Sequence, residues 1–392
     1  MFVEREIKEK FEKINKAYNI LALVGARQSG KTTFLKHELE RINGDYILFD
    51  DPDVRKLFEQ DIKKFEIQYI AGKLSVLDEV QYCKDAGIKL KYLAEKSHKI
   101  WLTSSSEIIL SKEILSYLVG RVSIIRMHPF SLGEFLEAKG KKEFTRETLN
   151  RLTWEHCIYG GYPKVVITED IETKKIILKD LYETMILKDI AKTFSIKDLN
   201  SLEETARYLA LSIGGLVSYG NISKALNISF QTLKKFLDAM EKSYLIFKVK
   251  PFFTNKLKEI SKQPKIYFLD TGLRNHISKS FSQEIDGRLF ENYVLSELIK
   301  IDFIPKYWRT KTNAEVDFII ERDNEIIPIE VKLTHEDKIE KSMHNFIKDY
   351  KPKRAFVVSY DGKKNRRKEG GCEVIFTDIL ELKKILRRER KE

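Results

Sequence analysis

Apolar positions recur along this chain with two periods. Over residues 2–17, Phe2, Val3, Ile7, Phe11 and Ile14 fall on one helical face. Short β-type runs follow at Asn19–Val24, Tyr46–Phe49, Leu74–Leu77, Ile100–Thr103 and Arg121–Met127, most of them separated by helical segments. Strands alternating with helices predict an α/β unit built on a mainly parallel sheet covered on both faces. In such sheets ligands sit at the carboxyl ends of the strands. After about Phe130 the pattern turns helical, over Ser131–Lys139, Arg146–Cys157 and Ile171–Lys192. A further helix, Ser201–Ser212, is broken by Gly214 and Gly215. Two more helices follow, Asn221–Leu226 and one capped by Ser229; in the second, Leu233, Phe236, Leu237 and Met240 share a face. Strand patterns return at Tyr244–Val249, Lys265–Leu269, Ala314–Glu321 and Glu325–Leu333.

The first of these strands runs into Gly25-Ala26-Arg27-Gln28-Ser29-Gly30-Lys31-Thr32, a G-x-x-x-x-G-K-T loop, and Thr33 opens the helical segment after it. Strand, glycine loop and helix form the context that makes this a phosphate-binding loop. Glycines let backbone N–H groups approach phosphate oxygens, and the helix turns its positive end toward them. Lys31 is expected to reach the β- and γ-phosphates and Thr32 to ligate Mg²⁺. The third run ends in Asp78-Glu79. Asp78 is expected to hold Mg²⁺, and Glu79 to orient and deprotonate the attacking water. At the tip of the fourth run, Ser104, Ser105 and Ser106 offer either a phosphate-sensing hydroxyl or a helix cap. Arg121 offers either a transition-state cation, in its own site or a neighbour's, or a solvated arginine.

Gly25–Thr32, Leu77-Asp78-Glu79-Val80-Gln81, Ser104–Ser106, Gly120-Arg121, Pro129–Phe135 and Gly160-Gly161-Tyr162-Pro163 occur in that order. Together they resemble the prokaryotic AAA+-type ATPases whose C-terminal half is nuclease-like. The resemblance spans nearly the whole chain. It implies a P-loop core over residues 1–130 with sheet order 5-1-4-3-2, a helical lid over 131–200, and frequent assembly into rings. Residues 201–260 read as a winged helix: helix-turn-helix plus a hairpin, with Gln231, Thr232, Lys234 and Lys235 off the apolar face of the third helix. Those side chains suit phosphate and base contacts, although the module could equally pack domains together.

Residues 261–392 carry a carboxylate problem. If Asp323-Asn324 forms a tight turn, Arg322 faces Glu325 and Asp317 lies directly opposite Glu330, with Lys332 on the same face as Glu330. Like charges opposed across a hairpin destabilise it, and a divalent cation between them removes the repulsion. Pro328 signals a bulge or an edge position. Asp followed by Glu-x-Lys on the next strand resembles the PD-(D/E)XK nucleases. By that resemblance Asp317, Glu330 and Glu291 of the preceding helix bind Mg²⁺, and Lys332 positions the water that attacks a phosphodiester. Val316 replaces the usual proline, and a relic fold with a Glu330–Lys332 ion pair remains the plainer reading.

Composition adjusts this picture little. The net charge of +12 permits a nucleic-acid partner, and basic runs lie at Lys363–Lys368 and Lys383–Lys391. Cys83, Cys157 and Cys372 match no metal spacing, which points to a reducing compartment. No apolar run approaches the ~20 residues of a membrane span, so a soluble cytoplasmic protein is expected. The sequence thus predicts an ATP- and Mg²⁺-dependent ATPase, with DNA as partner and a homo-oligomer as one outcome. The C-terminal half is left open between a DNA-cutting machine, a non-cleaving switch and a DNA motor.

Overall fold

Five consecutive apolar residues bury both faces of a strand only inside a covered sheet. Ile20–Val24 (β1) occupies that position in the computed structural model of the chain, with all five residues buried. The structure describes all residues except 1, 43, 106, 108–109, 111–113, 141–143, 255–258, 260–261, 283, 323–324, 335–337 and 389–392. Parallel neighbours flank β1: Ile100–Ser104 (β4) on one side and Val122–Arg126 (β5) on the other. Beyond β4 lie Ser75–Asp78 (β3) and Asp45–Leu48 (β2), also parallel. The order β2-β3-β4-β1-β5 is the expected 5-1-4-3-2 read from the other edge. The register brings Val24, Asp78, Thr103 and Arg126 to one rim. On one face the helix Lys8–Ala17 sets Phe11 edge-on to Phe34 and Trp101, with ring centroids 5.1 and 4.9 Å away.

The helices after Phe130 begin where their caps dictate. Ser131 and Glu134 form a reciprocal capping box on Leu132–Ala138. Arg146–Tyr159 and Ile171–Thr184 follow, and the latter continues as a π-type turn, Met185–Lys192. Leu199–Leu211, Tyr219–Ala225 and Phe230–Lys242 come next, the last capped by Ser229 as expected, with Leu233, Phe236, Leu237 and Met240 buried. Ile246–Val249 (β6) and Lys265–Phe268 (β7) pair antiparallel, and Leu216, between the first two helices, bridges to Lys265. This ribbon straddles residue 260, so it is not divided where the sequence placed a boundary.

The C-terminal sheet is mixed. Its order is β12-β13-β11-β10-β9-β8, from Lys306–Arg309 (β8), Glu315–Arg322 (β9), Glu325–Lys332 (β10), Arg354–Ser359 (β11), Asn365–Glu369 (β12) and Cys372–Thr377 (β13). β9 and β10 pair from Arg322–Glu325 to Phe318–Ile329, the register expected from the sequence. The turn pair Asp323-Asn324 lies outside the described residues. Pro328 sits in this pairing without a bulge. Pairing of β10 to β11 begins at Ile329, so the proline's missing donor falls where β10 still has a partner on one side only.

A single buried apolar cluster runs from Val3 to Leu386 and joins core, helices and C-terminal sheet. Polar ties cross it. Glu297, with no exposed surface, accepts from the backbone N–H of Leu132 at 2.9 Å and pairs with Lys300 at 3.0 Å and Lys383 at 2.5 Å. The basic run from Lys383 is therefore partly interior, since Lys383 is buried in the helix Ile379–Arg388. The other run forms the edge strand β12, where Arg366, Arg367 and Lys368 are exposed. All three cysteines are free and buried. Among the described residues no helix is long and apolar enough to cross a membrane.

Candidate nucleotide site and a second, acidic cleft

The loop after β1 needs its glycines. A Cβ on Gly25 (φ +151°) would lie 2.0 Å from the carbonyl oxygen of Met127, and Gly30 starts the helix Lys31–Glu40 at φ +98°. Lys31 lies folded under this loop, its Nζ donating to the carbonyls of Gly25 and Ala26 at 2.9 Å each. Burial pushes its ammonium down to about 8, against the opposing pull of Glu79, Asp189 and Asp78. The Ser29 hydroxyl is buried without a hydrogen-bond partner. Its carbonyl accepts from Arg5 Nη1 at 2.8 Å, while Arg5 Nε donates to Glu134 at 2.9 Å. Gln28 adopts a left-handed conformation, φ +56°. Thr32 and Thr33 are exposed on the first helical turn.

Asp78 ends β3 and accepts hydrogen bonds from Tyr46 Oη and Thr103 Oγ1. The Thr32 side chain lies beside the same phenol and offsets part of the rise in its pKa, so Tyr46 neighbours both expected Mg²⁺ ligands. A hydroxyl, a carboxylate and room for water are the donor set that Mg²⁺ takes. Glu79 sits at φ +60°, a strained position for a non-glycine residue. Burial raises its carboxyl above the usual range, and Gln81 Nε2 donates to it.

The other expected residues divide. Ser104 and Ser105 are buried at the tip of β4, Ser106 lies outside the described residues, and the hydroxyl that meets Asp78 is Thr103, one residue earlier. Arg121 is not brought to this site. It precedes β5 at the end where Val122 pairs with Ile20, whereas the loop leaves β1 beside Arg126. Five residues of strand, roughly 16 Å, separate the two ends, and Arg121 pairs instead with Glu95 at 3.4 Å. A role in its own chain's site is thereby corrected.

Sequence reading missed four contributors: Arg5, Tyr46, Thr103 and Asp189. Asp189 Oδ1 holds Arg27 Nε at 2.6 Å, and its backbone carbonyl accepts from Ser243 Oγ at 3.1 Å. A signal existed for Asp189, which lies three and four residues after Ile186 and Met185 on the buried face of its turn. Next to Ser243, the Tyr244 hydroxyl donates to Glu107 at 2.6 Å, and Glu107 accepts from Arg126 Nε at 3.0 Å. The end of the helix Phe230–Lys242 is thus bonded twice into the rim of the nucleotide site.

In the C-terminal half Glu291, Asp317, Glu330 and Lys332 line one cleft of about 670 Å³ together with Arg274 and Arg288. Asp317 Oδ2 accepts from the backbone N–H of Val331 at 2.8 Å. Burial, then the charges of Glu330 and Glu291, raise the Asp317 carboxyl well above its usual range. Burial likewise raises Glu330 to about 7, despite Lys332 at 3.1 Å. Glu330 Oε2 is buried and has no hydrogen-bond partner, so this pair fits a divalent cation. Lys332 divides itself between Glu330 and Glu340, the latter at 2.6 Å. Glu291 is held by Tyr267 Oη and by Lys265 at 3.2 Å. Among the described residues no three His, Cys, Asp or Glu side chains converge tightly enough to hold a metal.

Residues 17–136 match the family model of an AAA domain. Residues 150–284 and 286–380 match two models described as domains of unknown function (DUF8612 and DUF4143). An uncharacterised protein of Haemophilus influenzae is 27% identical over 336 residues, covering 80% of this chain and 82% of that one. Another, from Methanocaldococcus jannaschii, is 28% identical over 355 residues, 85% of this chain and 79% of its own. The solved Walker-type ATPase of Pyrococcus abyssi aligns with a TM-score of 0.47 and 14% identity, over 70% of this chain and 96% of that one. Residues 17–136, which match the AAA model, carry the phosphate-binding loop and the Asp78-Glu79 pair, and the chain is an ATPase.

Proposed function

We propose that this ATPase processes DNA, using ATP binding and hydrolysis to gate a Mg²⁺-dependent, phosphodiester-cutting C-terminal half. At the first site the loop amides and Lys31 bind the phosphates, which requires Lys31 to release the Gly25 and Ala26 carbonyls. Thr32 and Asp78 would hold Mg²⁺, which neutralises phosphate charge when bound. Glu79 takes a proton from the attacking water; its raised carboxyl suits a base that must not be too weak at neutral pH. Arg121, half-exposed at the far end of β5, would act on a neighbouring copy in a homo-oligomer.

One observation carries the DNA-cutting reading: the buried, unpartnered Glu330 Oε2 beside Asp317 in an open cleft that also holds Lys332. Asp317 and Glu330 would hold Mg²⁺ there, and Lys332 would orient water toward the phosphodiester. The three helices from Leu199 to Lys242 with the β6–β7 ribbon support a winged-helix reading, with exposed Gln231, Lys234 and Lys235 facing DNA. The full chain should cut linear, single-stranded or branched DNA with Mg²⁺ or Mn²⁺, and Asp317→Ala and Lys332→Ala should lose at least about 100-fold of that activity. Cutting absent from the parent chain, or retained in the variants, sinks the reading. DNA-stimulated ATPase without cutting would identify a motor.

A second reading, an ATP-controlled switch with a non-cleaving nuclease fold, draws on Glu291 being occupied by Lys265 and Tyr267. Neither cutting nor DNA-stimulated ATPase would favour it.

A further inference from the structure

We propose that Lys265, buried behind the acidic cleft, competes with a divalent ion for Glu291, so that metal loading depends on whether that ammonium stays paired with it. The inference rests on reading the Asp317–Glu330 pair as a metal site.

Lys265 and Tyr267 lie two apart on β7 and so share a face. Both reach Glu291, and Lys265 also pairs with Glu315. Only 3% of the Lys265 side chain is exposed. An ammonium that far inside is retained only where carboxylates surround it, and removing it strands those carboxylates. Glu291 and Glu315, the latter also held by Arg309 at 3.2 Å, sit around this ammonium, and Asp317 lies near enough to add its charge. This accounts for the absence of a three-acid metal cluster among the described residues although all the expected acids line one cleft. At rest the cleft offers a cation Asp317 and the free Glu330 oxygen. Glu291 becomes a third ligand only if Lys265 withdraws.

β7 is tied to the helix that carries Glu291, the Asn292 side chain accepting from the Phe268 N–H at 2.8 Å and donating to its carbonyl at 2.7 Å, so withdrawal is a swing of the Lys265 side chain from Glu291 toward Glu315. Whatever draws Lys265 off Glu291 raises cation affinity, and by reciprocity cation binding loosens that pair.

The test uses the full chain without nucleotide, with Mn²⁺ as probe and free Mn²⁺ read by electron paramagnetic resonance. Lys265→Met should bind Mn²⁺ roughly tenfold or more tightly than the parent chain, and Asp317→Asn should remove that binding in both backgrounds. Lys265→Met should melt several degrees lower in EDTA, at about the scale expected for a lost buried pair, and Mn²⁺ should restore it. Should Lys265→Met fail to fold, Lys265→Gln keeps a hydrogen-bonding group without the charge and should give the same tightening. Lys265→Arg should keep the parent affinity. Unchanged Mn²⁺ affinity in the neutral variants, or a melting loss that Mn²⁺ does not restore, overturns the proposal. If no Asp317-dependent binding occurs in any chain, the metal reading of the cleft has itself failed.

Discussion

Lys31 Nζ spends the nucleotide-free state on two backbone carbonyls, in surroundings that hold its pKa near 8. Its protonated form is the one that binds phosphate. ATP affinity should therefore be flat below pH 8 and fall about tenfold per unit above it, a slope that equilibrium titration would reveal. A curve flat to pH 10 would mean the lysine keeps its proton throughout. Lys31→Ala should lose nucleotide binding, whereas Glu79→Gln should bind ATP and turn over at least about 100-fold more slowly. Normal turnover in Glu79→Gln would assign the base elsewhere. At this scale the acidic pair was legible because it ends an apolar run, where few structural reasons for two carboxylates exist. Thr103 and Tyr46 were not, because strand register across the sheet, and not neighbouring sequence, sets them on Asp78. Glu291 was legible as a residue but not in its partners, which arrive from a strand 24 and 26 residues away.

Elements were predicted well where one face is apolar, and the β9–β10 register followed from the turn position alone. Less legible was what fixes elements to one another. The helix Gly287–Lys300 presents Glu297 to Lys300, Lys383 and the start of the helix Leu132–Ala138. Burial alone would raise this carboxyl, but Lys300 and Lys383 outweigh it and hold Glu297 well below the usual carboxylate range. A depressed pKa contributes stability that is present above the unfolded value near 4.3 and is lost as pH falls below it. Glu297→Gln leaves two buried ammoniums without their carboxylate and should cost about 3–5 kcal/mol at pH 7, with a clearly smaller difference from the parent only at about pH 2, nearer the folded value. Urea unfolding at both pH values checks this; an equal loss at each would mean that packing, and not charge, holds the junction.

The alternation of strands and helices was readable along the whole chain, because each kind of element has its own hydrophobic period. How they fuse was not: a cluster running from Val3 to Leu386 leaves no sequence signal, since its members are ordinary apolar residues in separate elements. Arg121 illustrates the same limit. Its glycine-arginine setting suggested a catalytic cation, and only the strand direction shows that it faces away from its own nucleotide. If it serves a neighbour, size-exclusion chromatography with ATP should show an assembly larger than without it. Arg121→Ala should then lower turnover while leaving ATP binding intact. A chain that stays monomeric with ATP yet hydrolyses it normally removes the need for that residue.

Ser243 and Tyr244 give the helix Phe230–Lys242 a fulcrum. Both hydrogen bonds to the nucleotide rim sit at its C-terminal end, whereas Gln231, Lys234 and Lys235 lie toward the opposite end. Thirteen residues make an arm of about 20 Å, so every 3° of tilt at the fulcrum sweeps the far tip by about 1 Å. A tilt of that end, if nucleotide binding imposes one, would be magnified at the far tip, where Lys235 Nζ donates to the Ser195 carbonyl at 3.2 Å.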